Sequence, residues 1–253
     1  MLSNAQFKLC RRVMSSRAFY AIVKNALESK EALSVVRIGD GEKFLFDLVK
    51  DDTYSRDIVV RPGHEKWLDN LGVTGITQRE LYRRLWFAST ECDYFAPSVS
   101  GLYLDGFNLY DTFPSRDIYV DNFFVNDWVE EMKAVIFRQA GHVLLIHNNA
   151  NTADSMQLRA QANLQCKVTY LPLSHWSQAE SVIAQAGEIN APLVLFSGGP
   201  AAKYIGPIIS RGGHIPKVVL DLGNAADHWT FSTLPANREV AEAFHAEWAK
   251  KNL

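Results

Sequence analysis

The stretch Pro192-Leu193-Val194-Leu195-Phe196-Ser197-Gly198-Gly199-Pro200 decides the fold. Pro192 to Phe196 is an uncharged apolar run, as expected of a strand buried on both faces. Two glycines then stop the strand, and Pro200 opens a helix, because proline suits the first helical turn, where a backbone N–H has no partner to lose. That helix reads on to Gly212-Gly213, and Lys217 to Leu222 is the next strand. The same rhythm runs upstream. Asp117 to Val120 reads as a strand, and Asp127 to Ala140 as a helix closed by Gly141. His142 to His147, Lys167 to Leu171 and the helix between them, Ala153 to Ala162, follow. Ser177 and Glu180 form a capping pattern for a helix reaching Ala186. Strands alternating with helices at this spacing predict an α/β fold, a Rossmann-like, mostly parallel sheet with helices on both faces. Ligands in such folds bind beyond the carboxyl ends of the strands.

The rest of the chain is assigned around this core. Gln6 to Lys30 reads as helical, divided at Ser15-Ser16, and Ser34 to Ile38 as a strand rich in β-branched residues. Lys43 to Val49 resumes an apolar pattern, and Thr77 with Glu80 starts a helix running to about Phe87. Residues 92–116, with four turn-forming Gly and Pro residues and six aromatics from Tyr94 to Phe113, read as an irregular aromatic insertion. The domain expectation is one unit over 1–253: an N-terminal helical segment 1–32, an α/β core 33–230 and a C-terminal helix 237–250.

The 253 residues suffice for a substantial core, and 47% hydrophobic against 21% charged residues is the balance of a folded chain. A net charge of −2 excludes a general basic field for nucleic acid. Cys10, Cys92 and Cys166 are few, odd in number and far apart, so neither a zinc ribbon nor a disulfide framework is expected. Reduced thiols, and a start that lacks the apolar core of a signal peptide, predict a soluble cytoplasmic protein. Lys8, Arg11, Arg12 and Arg17 leave room for peripheral contact with anionic lipid, and nothing opposes homo-oligomers.

Four segments carry candidate chemistry, each at or beyond the end of a strand. In Arg37-Ile38-Gly39-Asp40-Gly41-Glu42, Gly39 and Gly41 let a bulky anion approach, and Asp40 and Glu42 can face one hard cation. Arg37 can clamp phosphate or orient a carboxylate. Asp-Gly between apolar runs is equally a hairpin turn. Gly198-Gly199-Pro200 is either an anion-binding helix start or a tight connection. Asp221-Leu222-Gly223 leads to Asp227-His228, and Asp221, Asp227 and His228 are candidate bases in that order. The polar groups of His147-Asn148-Asn149, Asn148 among them, can hydrogen-bond a sugar or a base, or the segment is a turn. His64, His142, His175, His214 and His245 have no metal-ligand spacing and read as structural or surface residues.

The run Ser34-Val35-Val36-Arg37-Ile38-Gly39-Asp40-Gly41-Glu42 resembles the S-x-x-R-x-G-D-G-E signature of the GT-D-type glycosyltransferases. Leu193 to Asp227 resembles the end of that domain, where Gly199-Pro200 and Asp221-Leu222-Gly223 match its Gly-Pro turn and Asp-x-Gly loop. The chain departs from the family at Ala201, often a hydroxyl residue there, and at Asn224, often histidine. The resemblance implies a hexosyltransferase-like enzyme of glycan biosynthesis that moves a sugar from a nucleoside-diphosphate sugar, UDP-linked, to a glycan or glycoprotein hydroxyl. It implies Mn²⁺ or Mg²⁺ at Asp40 and Glu42; Arg37, Gly39, Gly41, Gly198, Gly199, Pro200 and Asn148, by their own chemistry and position, are then the expected contacts to the donor. A metal-dependent phosphohydrolase and a non-catalytic nucleotide- or glycan-binding module are the alternatives.

Overall fold

In the computed structural model, residues 13–39, 42, 71–97, 116–229 and 231 are described. The elements are β1 (Val13–Met14), α1 (Ser16–Ser29), β2 (Leu33–Ile38), α2 (Gln78–Glu91), β3 (Tyr94–Pro97), β4 (Tyr119–Val120) and α3 (Phe124–Asp127). There follow α4 (Glu130–Ala140), β5 (His142–His147), α5 (Ala150–Leu164), β6 (Lys167–Pro172), α6 (Ala179–Glu188), β7 (Leu193–Ser197), α7 (Gly199–Arg211) and β8 (Val218–Asp221). Short 3₁₀ turns occupy Trp176–Gln178 and Gly223–His228.

Six strands form one parallel sheet in the order β3-β2-β8-β7-β5-β6, so the fold is α/β and Rossmann-like. Side chains of a strand alternate between its faces, and the two layers of helices divide them. Val143 and Leu145 of β5 pack on the face covered by α1, α4 and α5, while Leu144 and Ile146 pack on the face covered by α2, α6 and α7. Burial on both sides is why these strands read as continuous apolar runs.

α5 follows β5 on the first face and leads to β6 on one side. α7 follows β7 on the opposite face and leads to β8 on the other side. The strand order therefore reverses between β5 and β7, whose last residues His147 and Ser197 are paired. Such a reversal opens a crevice at the carboxyl edge of the sheet.

Several local expectations are corrected. Met14 belongs to a two-residue strand paired with β4, not to a helix, and Ser15 caps α1 by accepting from the Ala18 N–H. Tyr94–Pro97, read as aromatic loop, is the edge strand β3, held against β2 from Val35↔Tyr94 to Ile38↔Pro97. Thr77 does cap α2, which runs four residues beyond Phe87, but Glu80 turns to Arg84. The expected Ser177/Glu180 cap is absent: His175 and Gln178 form a capping box on the 3₁₀ turn Trp176–Gln178, and α6, which follows it directly, has no side-chain cap. Both edges of β2 are taken by parallel neighbours, which leaves no place against it for the returning strand of a hairpin. The expected pattern over 43–49 and helix over 237–250 lie outside the described residues.

Candidate functional site

β2 and β8 lie side by side and end together, and their last residues alternate between the two faces of the sheet. Asp221, the final residue of β8, is 1% exposed. A carboxylate so buried must have its lone pairs met. Its Oδ2 accepts from the Lys203 ammonium at 2.9 Å and from the Arg37 backbone N–H at 2.9 Å, and its Oδ1 from the Gly223 N–H at 3.1 Å. Lys203 comes from α7 on the second face and also lies 3.4 Å from Glu42 Oε1. Glu42 Oε2 accepts from the Gly39 N–H at 3.0 Å. Arg37 enters from the first face: its Nε donates to both the main-chain and side-chain oxygens of Asn122 at 2.7 Å, and its Nη1 donates to the Leu222 carbonyl.

Two cations thus approach the ends of β2 and β8 from opposite faces, with Asp221 between them. Burial alone would push Lys203 toward its neutral form, but Asp221 and Glu42 outweigh it and raise its pKa, with Arg37 opposing. The ammonium is therefore charged at neutral pH. Burial lowers the Arg37 pKa against the pull of Asp221, Glu42 and Asp121, and a guanidinium stays charged regardless. Gly223 has φ +51°, and a side chain there would begin 2.9 Å from Arg37 Nη1. The glycine of the Asp-x-Gly loop is thus what lets the guanidinium come this close to the turn.

A second polar group stands over β5. Asp227, on the 3₁₀ turn after β8, is about half exposed. Its Oδ1 accepts from the Thr152 hydroxyl at 2.5 Å and faces His147 Nε2 at 3.6 Å. The Asn149 N–H donates to His147 Nδ1 at 2.8 Å, which places the proton of the neutral ring on Nε2. That nitrogen is buried and has no hydrogen-bond partner among the described residues. Burial lowers the His147 pKa, offset in part by Asp227 and Asn148, so the ring is neutral near pH 7. Asn148 itself is exposed at the end of β5.

The Gly198-Gly199-Pro200 turn has the geometry of the tight connection. Gly198 and Pro200 are buried, and a side chain on Gly199, at φ +62°, would begin 2.9 Å from the Leu71 carbonyl oxygen. A carbonyl over a helix start disfavours an anion there. Arg37 is engaged in orienting the loop and the carboxylates. His228 is exposed, and Asp40 and Gly41 lie outside the described residues. Lys203, Asn122 and Thr152 carry no expectation from the sequence. Lys203 carried a signal, since it is the one charged residue between Gly199 and Arg211 of an otherwise apolar helix.

Among the described residues no group of three His, Cys, Asp or Glu side chains is arranged around a metal position. Glu42 nevertheless suits a hard cation as one ligand: each carboxylate oxygen has two acceptor directions, and the contacts to Gly39 and Lys203 use one on each. Asp221 suits it less: Lys203 and Arg37 take both directions of its Oδ2, Gly223 takes one of its Oδ1, and the side chain is enclosed against the Lys203 ammonium. Among the described residues no helix is long and apolar enough to cross a membrane. Comparison with protein-family models, curated proteins and solved structures gave no match.

Cys92 and Cys166 are free and buried, and burial pushes both thiols up to about 12. Neither forms a thiolate at neutral pH, so neither is a nucleophile. Iodoacetamide at pH 7.5 is expected to spare both in the native protein and to label both after denaturation, read by mass spectrometry. Rapid native labelling of either would contradict this.

Proposed function

We propose that the protein is a glycosyltransferase that takes a sugar from a nucleoside-diphosphate donor, UDP-linked, and passes it to a hydroxyl of a glycan or glycoprotein. The observation that carries this is the convergence of Arg37, Glu42, Lys203 and Asp221. Residues up to 184 positions apart meet in one buried polar cluster at the carboxyl edge of the sheet. The segments that meet there are the two whose sequence resembles the GT-D-type enzymes.

In this reading Asp40 and Glu42 hold Mn²⁺ or Mg²⁺, which supplies Lewis-acid neutralisation of the departing diphosphate. The chain's own groups set the stage. Lys203 and Asp221 lock the end of β8 against α7, Arg37 fixes the Asp-x-Gly loop, and the Gly39 N–H turns Glu42 inward. Transfer also needs a base beside the acceptor hydroxyl. Asp227 takes this role ahead of Asp221, because it reaches solvent and is oriented by Thr152, whereas Asp221 is enclosed and ion-paired. Asn148 stands on the same edge and contacts sugar or base. Buried reduced thiols agree with a cytoplasmic setting.

Thermal-shift titration with UDP, GDP, ADP, CDP and dTDP, and with their sugar conjugates, tests the reading. At least one is expected to raise the melting temperature, and more so with Mn²⁺. A ligand at about 100 times its dissociation constant adds roughly 2.7 kcal/mol to stability. No shift at millimolar ligand and metal would overturn the donor site. Metal-dependent hydrolysis of simple phosphate esters would identify a phosphohydrolase, and ligand binding without any turnover a binding module.

A further inference from the structure

Lys203 is a full charge held where a lysine rarely lies: its side chain is 7% exposed, and the Glu42 and Asp221 side chains facing it are 10% and 1% exposed. Coulomb forces are strong in such a setting and are weakly screened by salt. The ammonium is bonded to Asp221 and lies within ion-pairing distance of Glu42, and α7, a thirteen-residue helix packed on the sheet, carries it there. It cannot touch a ligand from this position. What it can do is set the charge that a ligand meets. A divalent ion arriving at Glu42 finds one oxygen already facing a fixed cation, with Arg37 close enough to feel the same carboxylates.

We propose that Lys203 is an internal counter-cation that makes binding of a divalent metal at Glu42 conditional on a nucleoside diphosphate. Without nucleotide, repulsion from Lys203 keeps the metal off and Glu42 stays turned onto Gly39 and Lys203. A diphosphate brings negative charge that offsets both cations, so metal and nucleotide enter as a pair. Linkage makes the effect reciprocal: each ligand strengthens the other by the same factor. Lys203 is a positioning residue, acting through Glu42. The inference rests on the proposed donor site and adds an order of binding to it.

The test is Mn²⁺ binding, followed by the electron paramagnetic resonance signal of the free ion, with and without the nucleoside diphosphate that gives the largest thermal shift. Wild-type protein is expected to bind Mn²⁺ at least about tenfold more tightly with nucleotide than without, a coupling of ordinary size. Lys203→Met removes the charge and keeps the length. It is expected to bind Mn²⁺ without nucleotide at least about tenfold more tightly than wild type does. Damage to the fold would weaken binding, so a gain separates the two causes. Lys203→Arg restores the cation and is expected to restore the dependence on nucleotide. Wild-type protein that binds Mn²⁺ equally well with and without nucleotide would overturn the inference and leave the donor site standing. A folded Lys203→Met protein with wild-type Mn²⁺ affinity would do the same. Failure of every nucleotide to bind would instead remove the proposed function. If Lys203→Met does not fold, Lys203→Gln, which removes the charge and keeps a donor to Asp221, is measured in its place with the same expected gain.

Discussion

Asp40→Asn and Glu42→Gln are each expected to lower donor turnover by about 10²-fold or more while leaving the melting temperature of the ligand-free protein nearly unchanged. Both substitutions keep shape and remove one negative charge. If the acidic pair meets a cation and a departing diphosphate, that charge matters most when the leaving group develops its own. Loss of a single preorganised electrostatic group of this kind costs roughly 10²–10³-fold in rate. Glu42→Gln carries a sharper expectation, because Glu42 also faces Lys203 at 3.4 Å. A glutamine keeps the shape, and its one oxygen can accept from either the Gly39 N–H or the ammonium, which face different oxygens of Glu42, while Asp221 still pairs Lys203, so the local fold is held while the charge is gone. The measurement is paired on each protein: melting without ligand, and release of nucleoside diphosphate from the donor with Mn²⁺. Wild-type turnover in both variants would remove the role assigned to the pair.

Asp221→Ala is expected to be the most destabilising change at this edge. It strips Lys203 of its 2.9 Å partner and leaves the Arg37 and Gly223 N–H groups without their acceptor. Breaking one side of a buried ion pair typically costs about 3–5 kcal/mol, because a charge is left enclosed and unpaired. For a domain of this size that corresponds to a fall of about 10 °C in melting temperature. Adding Lys203→Met to Asp221→Ala should recover part of the loss by removing the stranded ammonium. A double variant no more stable than Asp221→Ala alone would show that the pairing with Lys203 is not the source of the cost.

The sequence was most legible where a single physical cause acts. His142–His147 and Leu193–Ser197 are buried on both sides and therefore read as apolar runs, and Gly141 closes α4 at φ +65° because a left-handed residue is wanted there. Tyr94–Pro97 was hidden for the opposite reason. It is a four-residue edge strand whose aromatic and proline content signals a loop, and only β2, far away in sequence, makes it a strand. Asp221 was visible from its place at a strand end. Its partner was not, because nothing in Gly-Pro-Ala-Ala-Lys states which strand end the lysine will reach. That depends on α7 packing on the second face, which is a property of the sheet order rather than of any local pattern.

The position of β2 also constrains how the molecule can be made. Its neighbours are β3, paired 59 positions further along, and β8, whose residues Val218–Leu220 lie 185 positions further along. A chain emerging from the ribosome can form β2 against β3 early, but β8 must come out before the other edge of β2 is closed. Pairing across so long a separation is slow, because the intervening chain must be confined before any contact repays it. Until then the carboxyl end of β2 presents Arg37 and Glu42 without Asp221, and an apolar strand with one side open to other chains. β8, the last strand among the described residues, is thus both the seal on an aggregation-prone edge and the piece that completes the charged cluster, so a chain stopped short of β8 lacks the two together.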